Sequence, residues 1–416
     1  MIRKGQAGSR LGAIFMSLAM LAGCGPTAGG SSAPTTAGSP SVPATTLPPS
    51  AGATATPLPT HATATPQSIA YFPALPTGPL DATTAANLQK VLDDLVANGA
   101  PDAIASVVTA DGRWSGAAGI DGPNGRAAKP GDEFNIASVS KPILAALVLR
   151  LAQDGKLDLD APISGYLGDL PVNANKATVR QALAMRSGIG DTSSALQAEA
   201  RADCGHAWTR TEVLRSIPAP HAMAGTTFEY SNPTYKLLGY AVEHITGKTL
   251  ETSFHDQMFA PIGLDRILLQ GPSRKTPKPW ALPIAGHESA LPLAMYGTGG
   301  ALPCLSVATF SFATSAVASD ASSLARWGWG LFSGALLNRN SLAAMMMGEA
   351  GGDPLGVEML PDFSPDLAYG THGAQVGYSA FLVMLPERQA VAVLFINDDQ
   401  ADVQAGAREL IRALGK

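Results

Sequence analysis

The chain has 416 residues, of which 46% are hydrophobic and only 15% are charged. This composition can build a large buried core, and the length allows one large catalytic unit or two to three ordinary domains. The net charge is −5 and Lys and Arg form no clustered stripe, so nucleic acid is not expected as a partner.

The first 24 residues predict an export signal. A basic start precedes an apolar run over residues 11–21, which is too short to span a bilayer as a permanent helix. The run ends in Leu21-Ala22-Gly23-Cys24, which resembles a bacterial lipobox. We therefore expect diacylation of the Cys24 thiol and removal of the preceding peptide. The alternative is an ordinary cleaved signal in which the cysteine is incidental.

Residues 25–70 are rich in Ala, Thr, Pro, Ser and Gly. Such a segment has too few large apolar residues to offset the entropy of ordering, which predicts a disordered tether. A coil of this length has an end-to-end distance of roughly 35–40 Å. The sequence thus predicts an exported protein held on the cell membrane by lipid, with residues 71–416 facing the cell wall or the periplasm.

Residues 71–416 mix helical and strand patterns. Helical spacing of apolar residues predicts helices over 83–98, 138–153 and 401–414, whereas strand patterns predict hairpins over 103–118 and 378–396. Residues 138–153 are apolar nearly all round, which indicates a buried helix. We predict an α/β protein of the α+β type, with an antiparallel sheet of N- and C-terminal strands flanked by helices. A mainly helical lobe is inserted at about 157–290.

The first motif that carries chemistry is Ser138-Val139-Ser140-Lys141. Ser and Lys three residues apart at a helix start lie on one face, so the amine can sit beside the hydroxyl. If burial lowers the pKa of Lys141, its neutral amine can take the Ser138 proton. An isolated Ser-x-x-Lys arises often by chance, but the buried helix that follows favours a functional pair.

The second motif is Tyr230-Ser231-Asn232. A phenol beside a cationic lysine has a lowered pKa and can shuttle protons, and the Asn232 amide can hold Lys141 and a substrate carbonyl together. The structural alternative is a Tyr that packs at a helix start, where Ser231 or Asn232 acts only as a cap.

The third motif is His372-Gly373-Ala374, followed by Gln375 and a strand hairpin. A small residue beside the nucleophile allows a substrate backbone to approach a strand edge. A donor or cation at His372 can bind a substrate carboxylate. The alternative is a histidine in a surface loop.

The three motifs, in this order, resemble the serine β-lactamase and D-alanyl-D-alanine carboxypeptidase family of the class C type. The resemblance covers about residues 83–414 and includes the stretches 183–188, 235–239 and 261–264, to which we assign packing and turn geometry. The Tyr-x-Asn second motif differs from the class A type, which has Ser at that position.

The resemblance implies a serine hydrolase with an acyl-enzyme on Ser138. Lys141 and Tyr230 would transfer protons and Asn232 would orient the substrate. The main-chain N–H groups of Ser138 and Gln375 would form an oxyanion hole. His372 and Gly373 would belong to the substrate-binding edge.

The third motif departs from the family pattern in two ways. It begins with His372 where the lactamases have Lys, and its third residue is Ala374 where the family has Gly. Both differences favour a carboxypeptidase-like or esterase-like enzyme over an efficient β-lactamase. A true class C-type β-lactamase remains an alternative, and so does a non-catalytic penicillin-binding or sensing protein on the cell surface.

With Cys24 lipidated, Cys204 and Cys304 remain as a disulfide candidate in an oxidising compartment. The alternative is a pair of buried thiols. No cluster has metal-ligand spacing and no motif predicts a cofactor. The expected partners are a small-molecule or peptidoglycan-stem substrate and a membrane. A monomer is favoured, although the sequence leaves the oligomeric state open.

Overall fold

The computed structural model describes residues 70–122, 125–283, 291–348, 352–363 and 365–415. The predicted signal peptide 1–24, the lipidation site Cys24 and all but the last residue of the predicted tether lie outside these ranges. Within the described ranges, no helix combines the length and the hydrophobicity that crossing a membrane requires.

The described part of the chain contains eleven α-helices. They are Ala82–Ala97 (α1), Ser140–Gln153 (α2), Val179–Leu183 (α3), Ser194–Ala202 (α4), Arg210–Arg215 (α5), Asn232–Thr246 (α6), Leu250–Phe254 (α7), Leu305–Ser311 (α8), Ala321–Phe332 (α9), Arg339–Met347 (α10) and Val403–Ala413 (α11). Several begin at a polar cap: the Asp81 carboxylate accepts hydrogen bonds from the N–H groups of Thr83 and Thr84, both at 3.0 Å.

The described part of the chain also contains ten strands. They are Asp102–Thr109 (β1), Gly112–Asp121 (β2), Arg126–Ala127 (β3), Phe134–Asn135 (β4), Ile267–Leu269 (β5), Val317–Ser319 (β6), Glu358–Met359 (β7), Tyr369–Gln375 (β8), Tyr378–Leu385 (β9) and Ala390–Ile396 (β10).

The main sheet has seven strands in the order β3-β2-β1-β10-β9-β8-β7, and every paired neighbour is antiparallel. The central pair joins the two ends of the fold, with Ile104 of β1 opposite Phe395 of β10. A second sheet, β4-β6-β5, has three short strands. Pairing of N- and C-terminal strands confirms the predicted architecture.

Helices cover both faces of the main sheet. On one face, α1 and α11 pack on a cluster that includes Leu88, Phe381 and Leu410. On the other face, α9 lies on the central strands, and the larger core continues to α2 and α6. Every residue of β9 and β10 is buried, as expected of central strands that are covered on both sides.

The predicted helix and hairpin positions are confirmed, with small differences at their ends. The strands of both hairpins are present, and α1 and α11 lie within one or two residues of the predicted bounds. The predicted helix 138–153 begins as a 3₁₀ turn, Ala137–Val139, and becomes α-helical at Ser140. Helices α3 to α7 and strand β5 fall inside the predicted lobe at about 157–290, and α8, α9 and α10 follow it.

Candidate active site

Strand β4 is followed by a strained turn that contains Ser138. Ala137 has φ +47°, a left-handed conformation that is uncommon for a residue other than glycine. The Asn135 side-chain oxygen accepts a hydrogen bond from the Ala137 N–H (2.8 Å), and the Ser140 hydroxyl donates to the Ala137 carbonyl (2.7 Å). These contacts fix the turn, so Ser138 is presented in one geometry.

Ser138, Lys141 and Tyr230 form one contact group. Lys141 Nζ lies 2.9 Å from Ser138 Oγ, and the Tyr230 hydroxyl lies 2.7 Å from the same oxygen. Lys141 Nζ also donates to the Thr314 carbonyl (3.1 Å) and lies 4.8 Å from the centroid of the Tyr230 ring. The structure therefore brings together the three residues that were predicted as the catalytic set.

Desolvation changes the pKa of both partners of Ser138, although Tyr230 keeps 39% of its surface exposed. Desolvation lowers the pKa of Lys141 from its ordinary value of 10.5 to about 7, so the neutral amine is well populated near pH 7. The expectation of a lowered pKa for Tyr230 is wrong. Desolvation raises it, the hydrogen bond with Ser138 only partly opposes this, and Tyr230 stays protonated at neutral pH.

The loop before α6 holds Tyr230 in place. The Glu229 N–H donates to the Met185 carbonyl (2.8 Å), and the Ser231 hydroxyl caps α6 by accepting from the Thr234 N–H (3.2 Å). Thr234 and Ser187 hydroxyls lie 2.6 Å apart. The 183–188 stretch thus supports the loop through packing and backbone hydrogen bonds.

Strand β8 passes directly over the nucleophile turn. A Cβ atom at Gly373 would lie 2.7 Å from the Ile136 carbonyl oxygen and 2.7 Å from the Ser138 nitrogen. Strand β7 pairs with β8 only at Tyr369 and Gly370, so the following residues of β8 form a sheet edge beside Ser138. The predicted small residue beside the nucleophile is Gly373 itself.

The structure corrects the position of His372. Side chains alternate along a strand, so His372 lies on the face of β8 opposite to Thr371 and Gly373. It is exposed, and its cross-strand neighbour Phe381 packs in the cluster beneath α1 and α11. Desolvation by its neighbours also lowers the pKa of His372, so a lasting positive charge is not expected there at pH 7. Thr371 takes the inward position instead.

The predicted main-chain role of Gln375 is also corrected. Val376 and Gly377 both have positive φ, which makes the β8–β9 connection a two-residue type I′ turn. Such a turn is closed by a hydrogen-bonded pair, here Gln375 and Tyr378, so the Gln375 N–H points into the sheet. The alternation of the antiparallel ladder then directs the Ala374 N–H toward the open edge.

Asn232 contacts a carboxylate instead of Lys141. Its side-chain nitrogen donates to both oxygens of Asp191 at 3.1 Å, and its main-chain N–H donates to Asp191 at 3.1 Å. Its side-chain oxygen is buried and has no hydrogen-bond partner in the described part of the chain. Asn232 is therefore held firmly, with one acceptor left for a ligand.

Ser138 opens into a polar cavity of about 260 Å³. The wall includes Asn232 and Gln375 as predicted, together with Asp191, Arg201 and Lys236. The Gln375 side-chain nitrogen donates to the Ser311 hydroxyl (3.0 Å), and its side-chain oxygen is buried with no hydrogen-bond partner among the residues that the structure describes. Gln375 thus contributes to this site through its side chain.

A second cavity of about 290 Å³ lies on the other side of Tyr230. Its wall contains Lys141, the exposed Phe228, and the carboxylates Asp353 and Glu358. Thr371 also lines it, and its hydroxyl donates to Glu358 (3.3 Å). Tyr230 therefore separates a polar cavity at Ser138 from a more apolar and acidic one at Lys141.

Lys236, like Asp191 and Arg201, is a cavity residue that the three motifs did not predict. It stands four residues after Asn232 on α6, inside a stretch interpreted as packing framework. The sequence shows only that a lysine stands among apolar neighbours in a helix. That pattern does not predict a cavity residue, because most lysines at such positions extend to solvent.

Cys204 and Cys304 form a disulfide, with Cα atoms 5.5 Å apart. The Ser306 N–H donates to the Cys204 carbonyl (3.2 Å), which joins the segment after α4 to the start of α8. Both helices supply cavity residues, so this bridge ties two walls of the site together. Among the described residues, no group of His, Cys, Asp or Glu is arranged to hold a metal ion.

Comparison with known proteins places this geometry in a family. Residues 88–416 match the family model described as Beta-lactamase. Protein flp of Staphylococcus aureus (strain MW2) is 29% identical over 141 residues, or 32% of this chain, and the match spans only 28% of flp.

Solved structures share the fold. D-amino acid amidase from Ochrobactrum anthropi SV3, complexed with L-phenylalanine amide, superposes with a TM-score of 0.67 at 22% identity, covering 80% of this chain and 98% of that one. D-stereospecific amidohydrolase from Streptomyces sp. superposes with a TM-score of 0.64 at 24% identity and the same coverage. The chain belongs to the family described as Beta-lactamase.

Proposed function

We propose that this protein hydrolyses an amide or ester through a covalent acyl-enzyme on Ser138. The observation that carries the proposal is the contact group at Ser138 Oγ: Lys141 Nζ at 2.9 Å and the Tyr230 hydroxyl at 2.7 Å. A buried lysine with a pKa of about 7 is a competent general base at neutral pH. Retention of all three residues in contact weighs against a purely non-catalytic binding protein.

The proposed reaction begins when neutral Lys141 accepts the Ser138 proton and Oγ attacks the substrate carbonyl. The developing oxyanion is stabilised by the N–H groups of Ser138 and Ala374, a contribution commonly of about 3–4 kcal/mol. Tyr230 donates its proton to the leaving group and regains one from the Lys141 ammonium. Water then attacks the acyl-enzyme, with the same groups acting in reverse.

The two cavities suggest how the substrate lies. The carbonyl and its acyl part fit the polar cavity that contains Ser138 and Ala374, and the leaving group fits the cavity beside Lys141 and Tyr230. Glu358 in that second cavity is unfavourable for a leaving group that carries a carboxylate, and His372 lies on the other face of β8. We therefore propose an amidase or esterase rather than a carboxypeptidase or class C-type β-lactamase.

A matched pair of substrates tests this assignment. The full-length protein is given N-acetyl-D-alanyl-D-alanine and the same compound with its terminal carboxylate converted to an amide, with Ser138→Ala as the control. We expect the capped compound to react at least about tenfold faster in kcat/KM, a difference of about 1.4 kcal/mol. Preference for the free acid, together with a long-lived benzylpenicillin adduct, would instead identify a carboxypeptidase.

We also propose that the enzyme acts in the cell envelope as a lipoprotein anchored through Cys24. The basic start, short apolar run and Leu-Ala-Gly-Cys sequence support this location. The Cys24→Ala variant should lose labelling by a radioactive fatty acid and leave the membrane fraction, while Cys204→Ala should keep both. A membrane-bound, labelled Cys24→Ala protein would contradict the anchor.

A further inference from the structure

Among the described residues, three that line the Ser138 cavity each have a buried polar atom with no hydrogen-bond partner. These atoms are the Lys236 ammonium nitrogen, the Asn232 side-chain oxygen and the Gln375 side-chain oxygen. Buried polar groups in folded proteins are nearly always paired, so an unpaired set around one cavity points to a ligand-binding site. A ligand that pairs all three atoms must offer one acceptor to Lys236 and two donors to the Asn232 and Gln375 oxygens.

Lys236 is the unusual member of this set. The residue is 1% exposed, and its Nζ lies 3.7 Å from the centroid of the Phe310 ring. The nearby carboxylate of Asp191 is bound by Asn232 and makes no ion pair with Lys236. A second cation, Arg201 of α4, lines the same cavity.

A structural role does not account for this lysine. Burial of an ammonium that contacts an aromatic ring but no hydrogen-bond acceptor is unfavourable, and desolvation lowers the pKa of Lys236 to about 7. A methionine would fill the same space against Phe310 without that penalty. Residues that cost stability in this way are expected where they serve a ligand.

We infer that Lys236 binds a carboxylate on the acyl part of the substrate, and that this part is an acidic amino-acid residue. The ammonium supplies a charge-assisted hydrogen bond to the carboxylate. The free oxygens of Asn232 and Gln375 accept hydrogen bonds from substrate N–H groups. The inference rests on the proposed function for its substrate orientation, because it assigns this cavity to the acyl side.

The first test uses two substrates that differ by one charge. N-acetylglutamyl 4-nitroanilide and N-acetylglutaminyl 4-nitroanilide, each as both enantiomers, are hydrolysed by the full-length protein. We expect wild type to favour the glutamyl compound by roughly 10–100-fold in kcat/KM. Lys236→Met should reduce this ratio to within about threefold, while Lys156→Met, which removes an exposed lysine, should preserve it.

A second test measures binding without turnover. In Ser138→Ala, the α-amide of N-acetylglutamate should raise the thermal midpoint, and the α-amide of N-acetylglutamine should not. The rise should vanish when Lys236→Met is added. Equal hydrolysis of both anilides with no selective rise overturns the inference but leaves the proposed function intact. A selective rise that needs Lys236, with neither anilide hydrolysed, supports the carboxylate site and counts against the proposed function.

Discussion

Lys141 and Tyr230 both contact the Ser138 hydroxyl oxygen, but desolvation shifts their pKa values in opposite directions. It lowers the pKa of Lys141 to about 7 and raises that of Tyr230, so one group can accept a proton while the other still holds one. The Thr314 carbonyl anchors Lys141 Nζ from the other side (3.1 Å). A base and an acid therefore meet at the same serine oxygen at neutral pH.

The pH dependence of acylation follows from Lys141. Its pKa is depressed, so the neutral base dominates above about pH 7, and kcat/KM for an uncharged ester should rise through that pH to a plateau. Positive charge on Lys236 contributes to the depression. Lys236→Met should therefore move the midpoint to higher pH, with Lys156→Met as the unshifted control. A rate that is flat or falls between pH 6 and 8 would rule out Lys141 as the base.

The sequence predicted which residues form the contact group at Ser138, but it did not predict their protonation or their other contacts. The Ser-x-x-Lys spacing was enough to place Lys141 beside Ser138, because the geometry of one helical turn is local. The raised pKa of Tyr230, the Asp191 contact of Asn232 and the position of Lys236 in the cavity wall depend on residues far away in sequence. Spacing carries no information about those contacts.

At the scale of elements, β8 decides which side chains reach the nucleophile. A shift of one residue in a strand moves every side chain to the other face. The predicted motif began at His372, whereas the strand directs Thr371 and Gly373 inward. The I′ turn at Val376 and Gly377 fixes this register. The sequence did not predict that turn, because valine rarely adopts the positive φ that Val376 has here.

Two neighbouring substitutions on β8 test the register. Gly373→Ala would put a methyl 2.7 Å from the Ser138 nitrogen, so the turn must move, and we expect kcat/KM to fall about 100-fold. Ala374→Gly removes an exposed methyl and should change kcat/KM by no more than about threefold. Circular dichroism and kinetics on both variants make the comparison. The opposite ranking in two folded proteins would mean that Ala374 faces the nucleophile.

At the scale of the whole molecule, the antiparallel sheet brings distant segments to one site. The pairing of β1 with β10 was predictable because both termini carry strand patterns and the middle of the chain is helical. The extent of the inserted part was not, since α8 to α10 continue past residue 290 and one of them, α9, packs on the main sheet. Long-range packing determines which helices belong to which layer.

The disulfide between Cys204 and Cys304 also joins segments that are distant in sequence. It closes a loop over a sequence separation of 100 and joins the α4 region, which carries Arg201, to α8, which carries Phe310. An even number of remaining cysteines in a chain that is predicted to be exported indicated the bridge, but only the fold shows that it braces the cavity.

The most direct measurement is an acid-quenched intact-mass time course of the full-length protein with 4-nitrophenyl butyrate. Wild type should gain one butyryl group that peptide mapping assigns to Ser138. Ser138→Ala should gain none at that position and should release no 4-nitrophenol above background. Turnover by Ser138→Ala at the wild-type rate, or an adduct that maps to another residue, would contradict the acyl-enzyme at Ser138.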